Sequence, residues 1–402
     1  MANVSSSNGL EKRPTLRFPG FNEPYKQCRI GDIYAERSQR GASDMELLSV
    51  TMNDGVKPRS EIEGKDNSSE DKSNYKIVRK GDMVYNSMRM WQGANGISPC
   101  DGIVSPAYTV LMPKQEINNG YFAVLFKSAN LINEFRKNSQ GMTSDTWNLK
   151  YPQIETIKIQ IPSVSEQDKV SELFGVLDAR IVAQAQLVES LKKYKRGLLQ
   201  EIFAKLSESC ENRKLKDVSV LFADGDWIES KDQASDGIRL IQTGNVGFGM
   251  YLDKPQNAKY ISDDTFHRLN CLEIYAGDIL ISRLPEPAGR ACLLPKSTER
   301  RITAVDCTVI RTDASVIDRN YLLQFLCSEQ YLKTVNSFLA GGTRQRISRK
   351  NLEGIEVPYP SIDKQEYYGD FLCKVDTLVF NEEQRLSYIT RLRCFMLQRL
   401  FI

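Results

Sequence analysis

Residues 162–203 of the chain read PSVSEQDKVSELFGVLDARIVAQAQLVESLKKYKRGLLQEIF, and residues 360–401 read PSIDKQEYYGDFLCKVDTLVFNEEQRLSYITRLRCFMLQRLF. The two stretches lie 198 positions apart and align without a gap. Both begin with Pro-Ser, a pair that ends a strand and caps a helix. This duplication predicts a chain of two halves, each closed by one long helix.

Each copy has the hydrophobic spacing of a coiled coil, with seam positions alternately three and four residues apart. In the first copy these positions are Phe174, Leu177, Ile181, Gln184, Val188, Leu191, Lys195, Leu198 and Ile202. In the second copy they are Leu372, Val375, Val379, Glu382, Leu386, Ile389, Arg393, Met396 and Leu400. Because helices of this length must bury such a stripe, we expect them to pack against each other in antiparallel orientation.

A pseudo-twofold relation between the halves predicts the register of this helix pair, in which partner numbers sum to 577. The apolar pairs are Leu177 with Leu400, Ile181 with Met396, Val188 with Ile389, Leu191 with Leu386, Leu198 with Val379 and Ile202 with Val375. The same register pairs Gln184 with Arg393. It also pairs Lys195 with Glu382, so the polar seam residues gain partners. The alternative is that these four side chains reach solvent at the edge of the seam.

The composition is that of an ordinary chain with two folded domains. Its 402 residues, 41% hydrophobic and 26% charged, leave room for two cored domains of about 150 residues each. No apolar run approaches the roughly 18 residues of a membrane span, and the N-terminus lacks the apolar stretch of a signal peptide, which predicts a cytoplasmic protein. Nine cysteines without a C-x-x-C pair predict reduced thiols rather than disulfides or a zinc site.

The sequence outside the helices also repeats, more loosely. The matching pieces are GDMVYNS at 81–87 with GDILISR at 277–283, IVSPAYTVL at 103–111 with ITAVDCTVI at 302–310, and YFAVLFKS at 121–128 with YLLQFLCS at 321–328. The order turn-strand, strand, short helix and long helix is therefore kept. The predicted domains are 1–161 and 213–359, with helical regions 162–203 and 360–402, a linker at 204–212, and a mobile polar insert at 59–74.

Several short segments resemble segments of a known protein family. They are LRFPGF at 16–21, the KGD and AGD turns at 80–82 and 276–278, IQTGN at 241–245, GTRQRIS at 342–348, and the strand-to-helix junctions IQIPSVSEQ at 159–167 and VPYPSIDKQ at 357–365. With the repeated helices, they make nearly the whole chain resemble the specificity subunit of type I restriction-modification enzymes. The two halves differ in two places. Lys364 stands where the first junction has Glu166, and TWN at 146–148 stands where the second half has RQR at 344–346.

The resemblance implies an α+β chain with two target-recognition domains in pseudo-twofold tandem repeat, separated by two long helices that form an antiparallel coiled coil. It implies a non-catalytic subunit that reads a bipartite, asymmetric target on double-stranded DNA. Its implied partners are two methyltransferase subunits and, through them, restriction subunits with motor and nuclease activity. S-adenosylmethionine, ATP and magnesium would belong to those partners, and no cofactor is expected in this chain.

The sequence itself lacks the motifs of an enzyme that acts alone. An adenine methyltransferase holds the extruded base with an Asn/Asp-Pro-Pro-aromatic motif, and the chain contains no Pro-Pro. It has no Walker A motif, and its glycines at 244–249 are better explained by turns. His267 is the only histidine, so a catalytic triad or a histidine metal site would lack partners. The main alternative function is a coiled-coil adaptor that binds only protein.

Side chains able to read bases lie in turn-rich stretches. Arginine pairs with guanine, asparagine or glutamine with adenine, and an aromatic ring stacks or wedges. The candidates are Arg89, Trp91, Gln92 and Asn95 in the first half, and Gln242, Asn245, Arg283, Arg344, Gln345 and Arg346 in the second. The alternative for each is to shape a loop or contact phosphate. A net charge of +3 is low for a self-sufficient DNA binder, so companion subunits are expected to supply part of the phosphate contacts.

Overall fold

The chain forms two compact units in a computed structural model that describes residues 13–41, 44–52, 54–66, 68–285, 287–339 and 345–402. Unit 1 comprises the residues up to 184 together with 385–402, and unit 2 comprises residues 185–384. Each unit therefore contains part of both long helices. In the part of the chain that is described, no helix is long and apolar enough to cross a membrane.

Unit 1 is built on a four-stranded antiparallel sheet. Its strands are β1 (Lys26–Arg29), β2 (Tyr34–Glu36), β3 (Leu48–Thr51), β4 (Gly55–Pro58), β5 (Lys76–Val78), β6 (Met83–Asn86), β7 (Asn95–Ile97), β8 (Gly102–Val104), β9 (Tyr108–Pro113) and β10 (Lys158–Ile161). Its helices are α1 (Ile30–Ile33), α2 (Asn119–Leu125), α3 (Ala129–Asn138), α4 (Tyr151–Ile154) and the first part of α5 (Val164–Ser209). The main sheet has the order β2-β9-β6-β7, and β1-β10, β3-β4 and β5-β8 form three two-stranded sheets.

Unit 2 repeats this plan with one sheet enlarged. Its strands are β11 (Asn212–Lys214), β12 (Leu221–Asp224), β13 (Ile238–Ile241), β14 (Lys259–Ile261), β15 (Glu273–Ile274), β16 (Ile279–Ser282), β17 (Ala291–Leu293), β18 (Arg301–Thr303), β19 (Cys307–Arg311) and β20 (Glu356–Pro358). Its helices are α6 (Asp263–Leu269), α7 (Arg319–Leu326), α8 (Glu329–Ser337), α9 (Arg349–Glu353) and part of α10 (Ile362–Arg399). The sheet β12-β19-β16-β17 matches the main sheet of unit 1, whereas β14-β13-β18-β15 has no four-stranded counterpart among the described residues of unit 1.

The repeated Gly-Asp turns set up the central strand of each main sheet. Gly81 and Gly277 have φ of +90° and +94°, a conformation that favours glycine, just before β6 and β16. The aspartate that follows accepts a backbone hydrogen bond from the residue three positions before it, at 2.9 Å in unit 1 and 2.8 Å in unit 2. Each aspartate also binds an arginine, Arg37 in unit 1 and Arg311 in unit 2, at 2.7 Å. The sequence match at these turns thus corresponds to matching structure.

The core of each unit lies between its main sheet and its short helices. In unit 1, Tyr34 packs edge-on against Phe122 with ring centroids 5.5 Å apart, and Phe126 packs against Phe135 at 5.6 Å. In unit 2, the rings of Tyr321 and Phe325 both lie 5.4 Å from Phe203 of α5. The long helices therefore contribute directly to the domain cores.

Within each unit the two long helices run antiparallel. In unit 1, Phe174 of α5 packs 6.0 Å from Phe401, and Asp178 binds Arg393 of α10. In unit 2, Lys192 of α5 binds Glu383 at 2.8 Å, and further along α5 Lys195 binds Asp376. As the residue number along α5 increases, the residue number of the contacting residue on α10 decreases, so the helices are antiparallel. Every predicted seam position on both helices is buried or half-buried. The predicted hydrophobic stripe is therefore the face of each helix that is shielded from solvent.

The ion pairs correct the predicted polar contacts. Arg393 was expected beside Gln184 but binds Asp178, and Lys195 was expected beside Glu382 but binds Asp376. Both aspartates remain nearly half exposed, so these charged pairs stay partly hydrated.

One predicted segment boundary changes, and the polar insert has internal hydrogen bonds. The linker expected at 204–212 is helical as far as Ser209, because α5 continues and buries Leu206 in the core of unit 2. In the insert at 59–74, the guanidinium of Arg59 donates to the carbonyls of Ile62, Gly64 and Lys65, and the predicted mobility of the insert stays a prediction.

Candidate DNA interface

The predicted readers of the first half lie in the loop between β6 and β7. Arg89 and Trp91 are half-buried there, and Gln92 is exposed. Asn95 is fully buried as the first residue of β7, and its Nδ2 donates to the carbonyl of Gly93 at 3.0 Å. The candidate role of Asn95 is therefore corrected to a structural one, because a buried amide already used by the backbone presents no group to DNA.

Trp91 is held in place by three neighbours. Its Nε1 donates to the carbonyl of Met88 at 3.0 Å, its ring meets Trp147 edge-on at 5.2 Å, and the guanidinium of Arg136 lies 5.5 Å from its centroid. Neither Trp147 nor Arg136 is among the candidates predicted from residue type and position in a turn. The alignment of the two halves could have indicated Trp147, because this residue stands where the second half has its basic Arg-Gln-Arg run.

In the second half, Gln242 and Asn245 close a helical turn rather than facing solvent together. Asn245 is 8% exposed; its Oδ1 accepts from the backbone of Gln242 at 3.0 Å and its Nδ2 donates to the carbonyl of Leu252 at 2.9 Å. Asn245 is thus corrected to a structural residue, whereas Gln242 is half-buried and remains a candidate.

The arginines of the second half divide into a buried and an exposed set. Arg283 is 4% exposed, donates to the carbonyl of Val305 and lies 3.4 Å from a carboxylate oxygen of Asp224, so its proposed DNA contact is corrected to an internal one. Burial lowers the pKa of the Arg283 guanidinium. Arg346 is exposed and pairs with Asp306 at 3.3 Å, and Gln345 is exposed. Arg344 lies outside the described residues.

Three loops meet at one end of the main sheet in each unit, and we call this place the loop corner. In unit 1 it consists of the described residues of 52–55, 87–94 and 139–149; in unit 2, of 246–251, 283–290 and 338–347. Leu149 donates its backbone N–H to the carbonyl of Ser87 at 2.8 Å, and Ile347 donates to that of Arg283 at 3.2 Å. The predicted loops of each half are therefore brought together by equivalent hydrogen bonds.

The remaining loop is fixed to the same corner in both units. A Cβ on Gly96 of β7 would lie 2.7 Å from the Cα of Gly55, so only glycine allows the β3–β4 hairpin to approach this closely. In unit 2, Gly249 donates its N–H to the carbonyl of Ala291 in β17 at 2.8 Å. Each corner is thus a cluster of three loops anchored on the edge strand of the main sheet.

Arg290 holds the corner loops of unit 2 together, and it is not among the residues predicted from the sequence. Its Nε donates to the carbonyl of Val246 at 2.8 Å, its Nη2 to that of Thr243 at 2.9 Å, and its Nη1 to that of Leu284 at 2.9 Å. Burial lowers its pKa, as expected for a guanidinium that serves the backbone rather than solvent. Nothing in its sequence context distinguishes it from a surface arginine.

The chemistry that remains at the corners suits nucleic acid. The corner of unit 1 offers the Trp91 ring and the exposed Gln92 amide, with the exposed cations Arg136 beside Trp91 and Lys150 next to Leu149; the corner of unit 2 offers Arg346. Such groups contact base edges and phosphates. Among the described residues, no group of histidine, cysteine and acidic side chains is placed to hold a metal ion.

A duplicated α+β module, with an equivalent loop corner in each copy, defines a chain with two recognition modules. Residues 22–193 and 207–391 match the family model of the type I restriction modification DNA specificity domain. The chain therefore belongs to this family, which confirms the resemblance seen in its sequence and the tandem fold that it implied.

Curated relatives and solved structures agree. The chain is 24% identical over 324 residues to the MjaVIII specificity subunit of a type I restriction enzyme from Methanocaldococcus jannaschii, covering 75% of this chain and 74% of that one. A similar fold is found in the type I restriction-modification S subunit from M. genitalium, with a TM-score of 0.59, 15% identity, and coverage of 97% of this chain and 99% of that one. A chain solved to explain complex assembly and conformational transition of the type I R-M system has a TM-score of 0.59 at 16% identity, covering 96% and 99%.

Proposed function

We propose that this chain reads a bipartite, asymmetric target on double-stranded DNA, each unit reading one block of bases through its loop corner. The observation that carries the proposal is the equivalent joining of loops by Leu149 to Ser87 and by Ile347 to Arg283. The scaffold is the same, but Trp91 and Gln92 occupy one corner and Arg346 the other. Unlike corners specify unlike blocks, so the whole target is not a palindrome.

The long helices supply a surface for protein partners. Large apolar side chains remain exposed along them although the seam is buried: Val176, Val182, Leu187 and Tyr194 on α5, and Tyr367, Phe371, Leu378, Phe380, Tyr388 and Phe395 on α10. Exposed apolar side chains of this size are a feature of protein interfaces. We assign it to two methyltransferase subunits, which in turn recruit the restriction subunits with motor and nuclease activity.

The chemistry of the complex is assigned to those partners. S-adenosylmethionine belongs to the methyltransferase subunits, and ATP and magnesium to the motor-nuclease subunits. This chain contributes recognition and positioning without catalysing a step. With a single histidine, the chain has no second histidine to complete a histidine-based metal site.

Binding measured at several salt concentrations tests the proposal against the alternative of an adaptor that binds only protein. The complex of this chain with its methyltransferase partner is titrated with duplexes that carry or lack the target. A DNA reader gives target-selective binding that weakens steeply with salt, because phosphate contacts release counterions. If this chain is only an adaptor, replacing it with a relative will leave the sequence preference of the complex unchanged.

A domain exchange tests the assignment of one block to each unit. Replacing residues 20–161 with the corresponding domain of another family member should change one half of the target and preserve the other. Loss of both half-specificities in a folded chimera would contradict independent reading.

A further inference from the structure

Exposed apolar side chains concentrate at the loop corner of unit 1. Met52, Met88 and Met142 are 40%, 40% and 99% exposed, and each lies on or beside a different one of the three corner loops. Outside the long helices, the other large hydrophobic residue of comparable exposure in the described part of unit 1 is Leu16, at 38%. The exposed apolar surface of this domain is therefore localised rather than scattered.

The corner of unit 2 also carries exposed apolar side chains, but they are not confined to it, since Val220, Trp227 and Tyr275 are 68%, 69% and 53% exposed elsewhere in the unit. Phe248 and Met250 are 48% and 45% exposed on the loop 246–251, and Phe338 is 42% exposed where the chain leaves α8. Val220, which is 68% exposed, lies at the opposite end of the main sheet, beside the Arg311 end of β19. It provides an internal comparison for an exposed side chain outside the corner.

The backbone beneath Phe248 is held in place by several hydrogen bonds. Gly247 donates its N–H to the carbonyl of Met250 at 2.9 Å, and Gly249 donates to Ala291, so the tip that carries Phe248 is closed on itself and tied to β17. Arg290 fixes the preceding residue, Val246. An exposed ring on a fixed tip is suited to insertion into a partner.

We propose that these apolar tips are wedges that enter between stacked base pairs and open the duplex within each block of the target. The inference rests on the proposed function and extends it. Phenylalanine and methionine are side chains that DNA-binding proteins insert at base steps to unstack and kink the helix. A duplex already opened at a neighbouring step lowers the cost of extruding an adenine for methylation.

The charges beside the tips favour DNA as the occupant. Arg136 and Lys150 are exposed at the corner of unit 1, and Arg346 at that of unit 2. The corner loops of unit 1 also carry the exposed carboxylates of Asp54 and Asp145, of which Asp54 pairs with Lys57 at 3.5 Å. Exposed cations near the tips suit contact with phosphates, which lie on both sides of the base stack.

The test uses the chain in complex with its methyltransferase partner and duplexes with 2-aminopurine at positions other than the methylated adenine. 2-Aminopurine fluoresces more strongly when it is unstacked. The intact complex should raise the fluorescence in both blocks. Met88→Ala should abolish the rise in one block and Phe248→Ala in the other, each with about tenfold weaker target binding, the loss expected for one important contact. Leu16→Ala and Val220→Ala are the matched controls and should leave both signals intact.

Two outcomes overturn the wedge while leaving the proposed function standing. One is selective DNA binding by the intact complex with no fluorescence rise at any tested position. The other outcome has two parts: the variants lose affinity but keep the fluorescence rise, and the intact complex loses the same affinity when thymine in the DNA is replaced by uracil. This result would mean that the tips contact thymine methyl groups. Absence of target-selective binding by the intact complex would instead contradict the proposed function itself.

Discussion

Gln167 and Gln365 lie 198 positions apart and make the same pair of hydrogen bonds. Each Nε2 donates to the carbonyl of the proline five residues earlier, at 3.1 and 2.9 Å. Each Oε1 accepts from a backbone N–H, that of Asn118 in unit 1 and of Asp318 in unit 2, both at 3.0 Å. Since Asn118 and Asp318 cap α2 and α7, each glutamine ties the start of a long helix to the neighbouring domain helix.

Removing either glutamine should destabilise its unit. Both side chains are 1% exposed, so Gln167→Ala or Gln365→Ala leaves buried backbone groups without partners and should lower the unfolding free energy by about 1–3 kcal/mol. Urea unfolding followed by circular dichroism measures the change. Gln186→Ala, at an exposed position of α5, is the control and should shift stability by less than about 0.5 kcal/mol. Equal effects at all three positions would show that the paired hydrogen bonds have no special role.

The two ion pairs between the long helices should differ in their contribution to stability. Asp178 and Asp376 are equivalent by the repeat, but Asp376 also accepts a hydrogen bond from Nε2 of Gln324 at 2.7 Å, and Gln324 is 1% exposed. Asp178→Ala should therefore cost about 0–1 kcal/mol, the value for a partly exposed pair. Asp376→Ala should cost about 1–3 kcal/mol more, because a buried amide loses its partner.

Thermal or urea unfolding of the two variants measures this difference. The double variant Gln324→Leu with Asp376→Ala is the control, since it removes both the donor and the acceptor. It should recover part of the loss seen with Asp376→Ala. A larger loss with Asp178→Ala than with Asp376→Ala would contradict the account.

The periodic features of the chain could be predicted from its sequence, and the choice of polar partners could not. Seam spacing fixes which face of each helix is buried, and the shared Gly-Asp turns fix where β6 and β16 begin. The partner of Lys195 depends instead on which carboxylate its long side chain reaches at the edge of the seam. The predicted register pairs Lys195 with Glu382, whereas in the structure Lys195 binds Asp376.

Lys127 should make the stability of unit 1 depend on pH. Burial lowers its pKa and the charge of Arg393 adds to this, while Asp178 and Asp54 act in the opposite sense. Between the lowered pKa and the unfolded value of about 10.4, the folded chain binds fewer protons than the unfolded chain. The unfolding free energy should therefore rise with pH across that window.

Comparing Lys127→Met with the parent chain isolates this contribution. The variant should be more stable than the parent at neutral pH, and the advantage should shrink as the pH rises through the window. The equivalent position in the second half is the uncharged Cys327, so the fold accepts an apolar side chain there. Urea unfolding at several pH values between 7 and 10 tests this, with the exposed Lys150→Met as control. A constant difference across that range would refute the assignment.

Residue type alone does not predict which of the candidate residues can contact bases. Asn95, Asn245 and Arg283 have the right chemistry and lie beside turns, yet the structure uses them to satisfy buried backbone or carboxylate groups. The same donors that suit a base edge suit a carbonyl. Burial depends on tertiary packing, which short turn motifs do not reveal.

Single substitutions at the corners should relax one block of the target at a time. Gln92→Ala should alter discrimination in the block read by unit 1, and Arg346→Ala in the block read by unit 2, each by about 1–3 kcal/mol at one base pair. Competition binding against duplexes with single base changes measures the discrimination. Asn95→Ser and Arg283→Lys are comparison variants at buried positions and should affect folding rather than base preference. A uniform loss of affinity across all sequences would assign Gln92 or Arg346 to phosphates instead.

The most direct test of the central claim is a map of methylated adenines in the DNA of cells that carry this chain with its methyltransferase and restriction partners, obtained by single-molecule sequencing. Two unlike recognition modules predict two short specified blocks around an unread spacer. The blocks should be centred about one helical turn, or about 10 base pairs, apart and should form a non-palindromic motif. A single continuous motif, or a palindrome, would contradict the account.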